Sequence, residues 1–236
     1  MSSMAAFRDL TGLTAILKSC LFAYLIISLV GVWSGWGELQ LLQNALAGAE
    51  ITDAEAAAND ARQTLVAALY LLAYIVTGVV FLRWIVVANR NARALGARGM
   101  QFTPGWSVGW YFVPIAWLWK PYQAMVELFR ASHPDFTDDW TNAPRPGILP
   151  LWWAFWVAST YVSNIALRST FRAGTPEQVV SLSGMDLLSD TLEIPLTITA
   201  LILVSRLSAL QAEKHARLAA AAISTDPVLT GPEPVR

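Results

Sequence analysis

Four long runs of apolar residues alternate with polar segments along the chain. They cover residues 14–33, 65–87, 149–167 and 187–207. A helix needs about 20 predominantly apolar residues to cross about 30 Å of hydrocarbon, so the pattern predicts four transmembrane helices. The first run is too long for the apolar core of a signal peptide and lacks a small-x-small cleavage site near its end. We therefore interpret it as a retained span.

A fifth apolar stretch, residues 104–119, differs from the others in length. Its 16 residues would reach only about 24 Å as an unbroken helix. Pro114 lies inside the stretch, and a proline in a helix interior removes a hydrogen bond and clashes with the preceding turn. The stretch is expected to be a re-entrant or interfacial element and not a fifth span.

Residues 121–132 have the periodicity of an amphipathic helix. The apolar positions recur at i, i+3, i+4 and i+7, and polar residues occupy the opposite face. The apolar set is Tyr122, Met125, Val126 and Phe129, and the polar set is Gln123, Glu127 and Arg130. This pattern is typical of a helix lying in the membrane surface. Lys120, just before it, is expected to extend its ammonium group toward water.

Composition agrees with a membrane protein. Hydrophobic residues make up 55% of the chain, charged residues only 14%, and there are 11 tryptophans. Soluble domains usually carry about 25% charged residues. The single cysteine excludes a disulfide scaffold, and a net charge of −1 gives no reason to expect nucleic acid as a partner.

The distribution of basic residues predicts an orientation. With four spans, 13 of the 16 Lys and Arg residues share the side of both termini, and only Arg62, Arg168 and Arg172 lie opposite. With five spans the division becomes about even, so the positive-inside rule favours four spans with both termini in the cytoplasm. We expect a cell-membrane protein with one helical domain, residues 1–212, and a disordered cytoplasmic tail, residues 213–236.

Four arginines follow the second span, and two interpretations of them stay open. They are Arg83, Arg90, Arg93 and Arg98. They can belong to a helix that continues beyond the membrane and ends at Gly96 in a left-handed cap, with its basic residues near the negative end of the dipole. Alternatively, they contact anionic lipid.

The segments RNARALGA, PGWSVGWYFVPIAWLWKPYQAMVELFRAS and LPLWWAFWVAS resemble the bacterial membrane proteins of the domain of unknown function 4328 family. The resemblance extends from about residue 65 to residue 210. It implies a multi-helix membrane protein with a central signature, and it brings no activity, substrate or cofactor. The signature residues here are Trp106, Trp110, Phe112, Val113, Pro114, Lys120, Pro121, Tyr122 and Gln123. A tryptophan stands at position 117, where the resemblance leads us to expect a small polar residue.

The sequence gives no positive sign of catalysis, a metal centre or a cofactor. Both histidines, His133 and His215, lie outside the predicted spans, so neither haem ligation within the bundle nor a histidine base at membrane depth is available. CxxC, HExxH and Walker motifs are absent from the sequence.

Acidic residues near the fourth span are the strongest candidate site. Asp186, Asp190 and Glu193 are spaced i, i+4 and i+7 and share one helical face. Ionisable groups at membrane depth are candidates for a cation or proton site because they are costly to place there. Asp190 and Glu193 also have capping-box spacing, so a structural role at a helix start is the alternative.

A polar stripe in the third predicted span, Thr160, Ser163 and Asn164, is expected either to bond between helices or to line a substrate groove. The first functional hypothesis is a non-enzymatic module that contacts membrane lipids, a membrane-protein partner or another copy of the chain. The alternative is a small transporter or channel in which the broken helix at Pro114 lines a cavity. A lipid-modifying enzyme is a third reading.

Overall fold

The computed structural model describes residues 7–137, 139–171 and 174–224, without the side chain of Thr170. This part of the chain is helical throughout and contains no strand. Its α-helices are α1 (Thr11–Leu46), α2 (Asp53–Ala94), α3 (Trp106–Gly109), α4 (Lys120–Ala131), α5 (Ile148–Thr170) and α6 (Pro176–Ser224). Single 3₁₀ turns lie at Trp110–Phe112, Ala116–Leu118 and Trp140–Asn142.

Three of the helices in the described chain are long and apolar enough to cross a membrane. These are α1, α2 and α6, which contain the predicted spans 14–33, 65–87 and 187–207. The predicted span 149–167 forms most of α5, but α5 is not among the three. Its second half carries Ser159, Thr160, Ser163 and Asn164, which lower its apolar character.

The first turns of α1 and α2 show why these two helices begin where they do. Asp9 accepts hydrogen bonds from the backbone and hydroxyl of Thr11 at 2.8 and 2.6 Å, and these bonds hold the pKa of Asp9 below its ordinary range. Thr52 and Glu55 form a capping box at the start of α2. The Glu55 carboxylate accepts the Thr52 N–H at 2.9 Å, and the Thr52 hydroxyl accepts the Glu55 N–H at 3.2 Å.

Helix α6 is longer than the sequence pattern predicts. It continues to Ser224, so residues 213–224 are helical where a disordered tail is expected. The run of alanines at 219–222 explains this, because alanine has the highest helix propensity. Residues 225–236 of the predicted tail lie outside the described residues.

The chain forms two compact units. Of the described residues, the four-helix unit comprises 15–81, 147–171 and 174–203, and the mid-chain unit comprises 7–14, 82–137, 139–146 and 204–224. In the four-helix unit, many large apolar side chains point outward. They include Ile26, Leu29, Leu65, Leu72, Ile75, Val79 and Tyr161. Such a surface suits lipid as the surrounding solvent.

The mid-chain unit has an apolar core. Trp84 is fully buried, and its indole N–H donates to the hydroxyl of Thr14 at 3.1 Å. Met125 and Phe129 of α4 are 2% and 1% exposed. For these two positions the expectation of a membrane-facing surface is wrong, because protein covers them, whereas Tyr122 and Val126, the other two apolar positions of this face, are half-buried. Periodicity identifies the apolar face of a helix but not what packs against it.

The stretch 104–119 is broken, as predicted. The hydroxyl of Thr103 accepts the N–H of Trp106 at 3.2 Å and caps the short α3. The chain then becomes extended at Val113, before Pro114. Ile115 follows at φ 67°, with the N–H of Ala116 donating to the Pro114 carbonyl at 2.7 Å. This is a γ-turn of the strained, positive-φ type.

The end of α2 confirms the predicted left-handed cap. Gly96 has φ 95°, and its N–H donates to the Arg93 carbonyl at 3.1 Å, while the Ala97 N–H donates to the Ala92 carbonyl at 3.1 Å. This is the pairing of a Schellman motif. A side chain at position 96 would have to adopt a backbone conformation that glycine takes without steric cost.

Candidate functional site

A cavity of about 700 Å³ lies within the four-helix unit and is lined by α1, α2, α5 and α6. Its acidic lining residues are Glu38, Asp186, Asp190 and Glu193, and its aromatic ones are Tyr24, Tyr70, Tyr74 and Trp156. We call it the acidic cavity. Pro114, which the transporter hypothesis places on a cavity wall, does not line it. Among the helices that line it, α5 contains Pro150 and α6 contains Pro195, and neither proline lines the cavity.

The three acidic residues that were predicted to share a face of α6 thus all line one cavity. The capping interpretation of Asp190 and Glu193 is wrong, because α6 begins at Pro176 and both residues lie well inside the helix. Capping needs the unpaired N–H groups of the first turn. These carboxylates consequently need another explanation.

Glu193 is bonded directly to one tyrosine and through it to a second. The phenol of Tyr24 is 3.2 Å from Oε2 of Glu193, to which it can donate, and the Tyr24 and Tyr70 oxygens are 2.8 Å apart. Tyr24 is only 5% exposed. The Tyr24 phenol thus links α1, α2 and α6, and it helps to fix the position of the Glu193 carboxylate on the cavity wall.

Asp190 faces a glycine of α1. A Cβ placed on Gly31 would lie 3.3 Å from Oδ2 of Asp190. Small residues at helix interfaces allow close approach in membranes. Gly35, one turn further along α1, likewise faces the side chain of Leu187.

The acidic cavity's far carboxylate, Glu38, is bound to a neutral partner. Gln63 donates to its Oε2 at 2.9 Å. The nearby Arg62 donates instead to the hydroxyl of Ser34 at 3.0 Å and to the amide oxygen of Asn59 at 2.6 Å. Throughout residues 7–137, 139–171 and 174–224, no Lys, Arg or His nitrogen lies within 4.0 Å of an acidic-cavity carboxylate.

The polar stripe of α5 lines the acidic cavity and also takes part in bonding between helices. Thr160, Ser163 and Asn164 all line the acidic cavity. The hydroxyl of Ser163 is hydrogen-bonded to that of Ser189 on α6, so the stripe also connects two helices. Asn164 donates within α5, to the Thr160 carbonyl at 2.7 Å.

Part of the family signature forms a smaller pocket in the mid-chain unit. Trp106, Trp110 and Lys120 line a pocket of about 240 Å³ together with Gln101 and Phe102. The Lys120 ammonium lies 5.7 Å from the ring centre of Trp110 and 5.8 Å from that of Phe102. Cation–π contacts therefore hold it.

Other residues of the family signature do not line this pocket. Tyr122 and Gln123 line a second cavity, of about 540 Å³, while Pro114 and Pro121 line neither. The prolines shape the chain: Pro114 precedes the γ-turn, and Pro121 stands in the first turn of α4.

The four arginines after the second span do not behave alike. Arg83, Arg90 and Arg98 are exposed, and their lipid contact stays a prediction. Arg93 is half-buried and donates to Asn89 Oδ1 at 3.2 Å and to the carbonyls of Met100 and Phe102 at 3.2 and 2.9 Å. Its role is to hold the following loop against α2.

Sequence reasoning missed several residues of the acidic cavity, chiefly Tyr24, Tyr70 and Glu38. A signal was present on α1, since Gly31, Gly35 and Glu38 are spaced four and three residues apart and so share a face. Nothing in the sequence relates that face to α6.

The comparisons with known proteins come down to one family. No curated protein and no solved structure matches the chain. Residues 47–209 match the family model described as a domain of unknown function (DUF4328), which is more than half of the 236 residues. The chain therefore belongs to the DUF4328 family.

Proposed function

We propose that the protein is a four-span membrane protein of transporter or channel type whose acidic cavity binds a small organic cation. The observation that carries the proposal is the convergence of four carboxylates and three tyrosines on one cavity of about 700 Å³. Carboxylates without a nearby cation are costly at membrane depth, and a positively charged ligand compensates that cost.

Cavity size and lining favour an organic cation over a bare metal ion. Ligand pockets for small molecules occupy about 300–1,000 Å³, and the acidic cavity falls in this range. Tyrosine and tryptophan faces attract ammonium groups through their quadrupoles. In the described chain, no group of three or more His, Cys, Asp or Glu residues is arranged to hold a metal ion.

The four-span layout rests on several features together. Helices α1, α2 and α6 are apolar and long enough to span, and α5, with 23 residues, reaches about 34 Å. The stretch 104–119 exposes Trp106, Phe112, Ile115, Leu118 and Trp119, which suits an interfacial position. The positive-inside rule favours cytoplasmic termini.

The first functional hypothesis from the sequence is that lipid or a protein partner docks on α4. The burial of two apolar residues of α4 argues against it. Its apolar anchors Met125 and Phe129 are buried in the mid-chain unit and are not available to a membrane or a second protein. The acidic cavity, in contrast, is empty space of about 700 Å³ that a ligand can occupy.

The proposal is tested by cation binding and uptake. The full-length chain is reconstituted in nanodiscs and in proteoliposomes, and binding of tetraethylammonium and choline is measured. Asp190→Asn and Glu193→Gln are each expected to weaken binding about tenfold, as the loss of one buried charge partner predicts. Glu177→Gln is the matched control, since Glu177 is an exposed carboxylate at the start of the same helix.

The outcomes separate binding from transport. Saturable binding that the two cavity variants weaken and Glu177→Gln leaves unchanged supports the cation site, and uptake with the same pattern supports transport. Absence of saturable binding for both probes, or equal weakening by Glu177→Gln, contradicts the proposal.

A further inference from the structure

A second cavity, in the mid-chain unit, has the opposite charge character. Its volume is about 540 Å³, and α4, residues 101–102 and residues 140–145 supply its walls. Its charged lining residues are Arg130, Arg145 and Glu127. We call it the arginine cavity, and it is independent of the function proposed above.

Among the described residues, one acidic side chain lines the arginine cavity, and it is already hydrogen-bonded. Glu127 is 8% exposed, and its carboxylate accepts the backbone N–H groups of Gln101 and Phe102, the latter at 2.9 Å. Among the residues that the structure describes, neither Arg130 nor Arg145 has a carboxylate oxygen within 4.0 Å. The positive charge of the cavity is therefore not neutralised by these residues.

The two guanidinium groups are arranged for a ligand. The Nε of Arg130 is buried and has no hydrogen-bond partner within the described chain. Arg145 donates to the phenol oxygen of Tyr122 at 2.6 Å, which positions its guanidinium at the cavity. Both arginine side chains line the cavity, so an oxyanion bound there can accept hydrogen bonds from their guanidinium groups.

We infer that the arginine cavity binds a phosphate-class oxyanion. The planar fork of arginine matches the oxygen geometry of phosphate groups and can bind them in a bidentate manner. The side-chain amides of Gln101 and Gln123 also line the cavity and offer further donors. The phosphate can be carried by an anionic phospholipid or by a soluble phosphate compound, and these two sources share the same chemistry.

The test uses two probes on the full-length chain. Binding of inorganic phosphate is measured by titration calorimetry at constant ionic strength. Retention of phosphatidylglycerol is measured by native mass spectrometry after reconstitution in nanodiscs that contain phosphatidylglycerol and phosphatidylcholine. Arg130→Gln and Arg145→Gln are compared with Arg217→Gln, which removes the same charge from an exposed position that does not line the cavity and is not among the predicted lipid contacts.

Binding is expected to weaken about tenfold in each cavity variant and less than about twofold in Arg217→Gln, because exposed charges are screened. This pattern with inorganic phosphate identifies a soluble phosphate compound, and the same pattern with phosphatidylglycerol identifies the lipid. No saturable binding in either experiment, or an equal loss in Arg217→Gln, overturns the inference. Arg145 lies exposed between helices, so Arg145→Gln decides the matter if Arg130→Gln fails to fold.

Discussion

The two units of the molecule treat buried polar groups in different ways. In the mid-chain unit, Asn89, Asn91 and Lys214 are 0%, 0% and 1% exposed, and each donates to backbone carbonyls. Asn91 exchanges two hydrogen bonds with the backbone of Arg8, at 2.8 and 2.9 Å. Lys214 donates to the carbonyls of Ala131 and Phe136 at 3.0 and 3.1 Å.

The four-helix unit instead places carboxylates on a cavity wall. Asp190 and Glu193 line the acidic cavity, and no cation of the described chain lies within 4.0 Å of either one. The contrast shows how a buried charge is to be interpreted. A charge that is bonded to the backbone stabilises the fold, whereas a charge that faces a cavity without a cationic partner is available to a ligand.

The largest expected effect is on the free energy of unfolding, and it distinguishes a buried apolar side chain from an exposed one. Phe129→Ala is expected to lower the free energy of unfolding by about 3–5 kcal/mol, because Phe129 fills a core position and is 1% exposed. Phe112 is 74% exposed, and Phe112→Ala should cost less than about 1 kcal/mol. Unfolding is followed by helical circular dichroism during titration with sodium dodecyl sulfate. Similar losses in the two variants would contradict the burial of α4.

A second pair of variants tests the two kinds of buried charge. Lys214→Met leaves the carbonyls of Ala131 and Phe136 without their donor and is expected to cost about 1–3 kcal/mol of unfolding free energy. Glu193→Gln should leave that free energy unchanged or raise it, because an uncompensated charge is removed. The same unfolding titration measures both. If Glu193→Gln destabilises the protein as much as Lys214→Met, the carboxylate is structural and the distinction between the units fails.

The smallest expected effect concerns the spacing of α1 and α6. Gly31→Ala places a methyl group about 3.3 Å from the Asp190 carboxylate and is expected to weaken cation binding severalfold with little loss of folded protein. Gly78→Ala is the matched control, since a Cβ at Gly78 meets nothing within 4 Å. The control should retain binding and gain up to about 1 kcal/mol from helix propensity. Equal cation binding by the two variants would show that the small size of Gly31 is not required for binding at the acidic cavity.

The helices were predictable because their signal is local. An apolar run, a proline at position 114 and a glycine at position 96 each act on the chain within a few residues. The acidic face of α6 was also visible, since i, i+4 and i+7 spacing is a property of one helix. The polar stripe of α5 was visible for the same reason.

Tertiary partners were not predictable. The periodicity of α4 is the same whether lipid or protein covers its apolar face, and Phe129 is buried for reasons that lie in other parts of the sequence. The spacing of Asp190 and Glu193 fits a capping box at a helix start, and it fits equally well two residues in the middle of a helix that line a cavity. Only the position of the helix start, at Pro176, separates these alternatives.

The match to the family covers residues 47–209 and therefore begins after α1. Yet α1 supplies Tyr24, Gly31 and Glu38 to the acidic cavity. A fragment limited to the matched residues would lack one wall of that cavity, and it would also lose Lys214, which binds the end of α4. The residues that match the family model therefore do not include all the residues that line the acidic cavity. Experiments on shortened versions of the chain should start upstream of Thr11 so that α1 is retained.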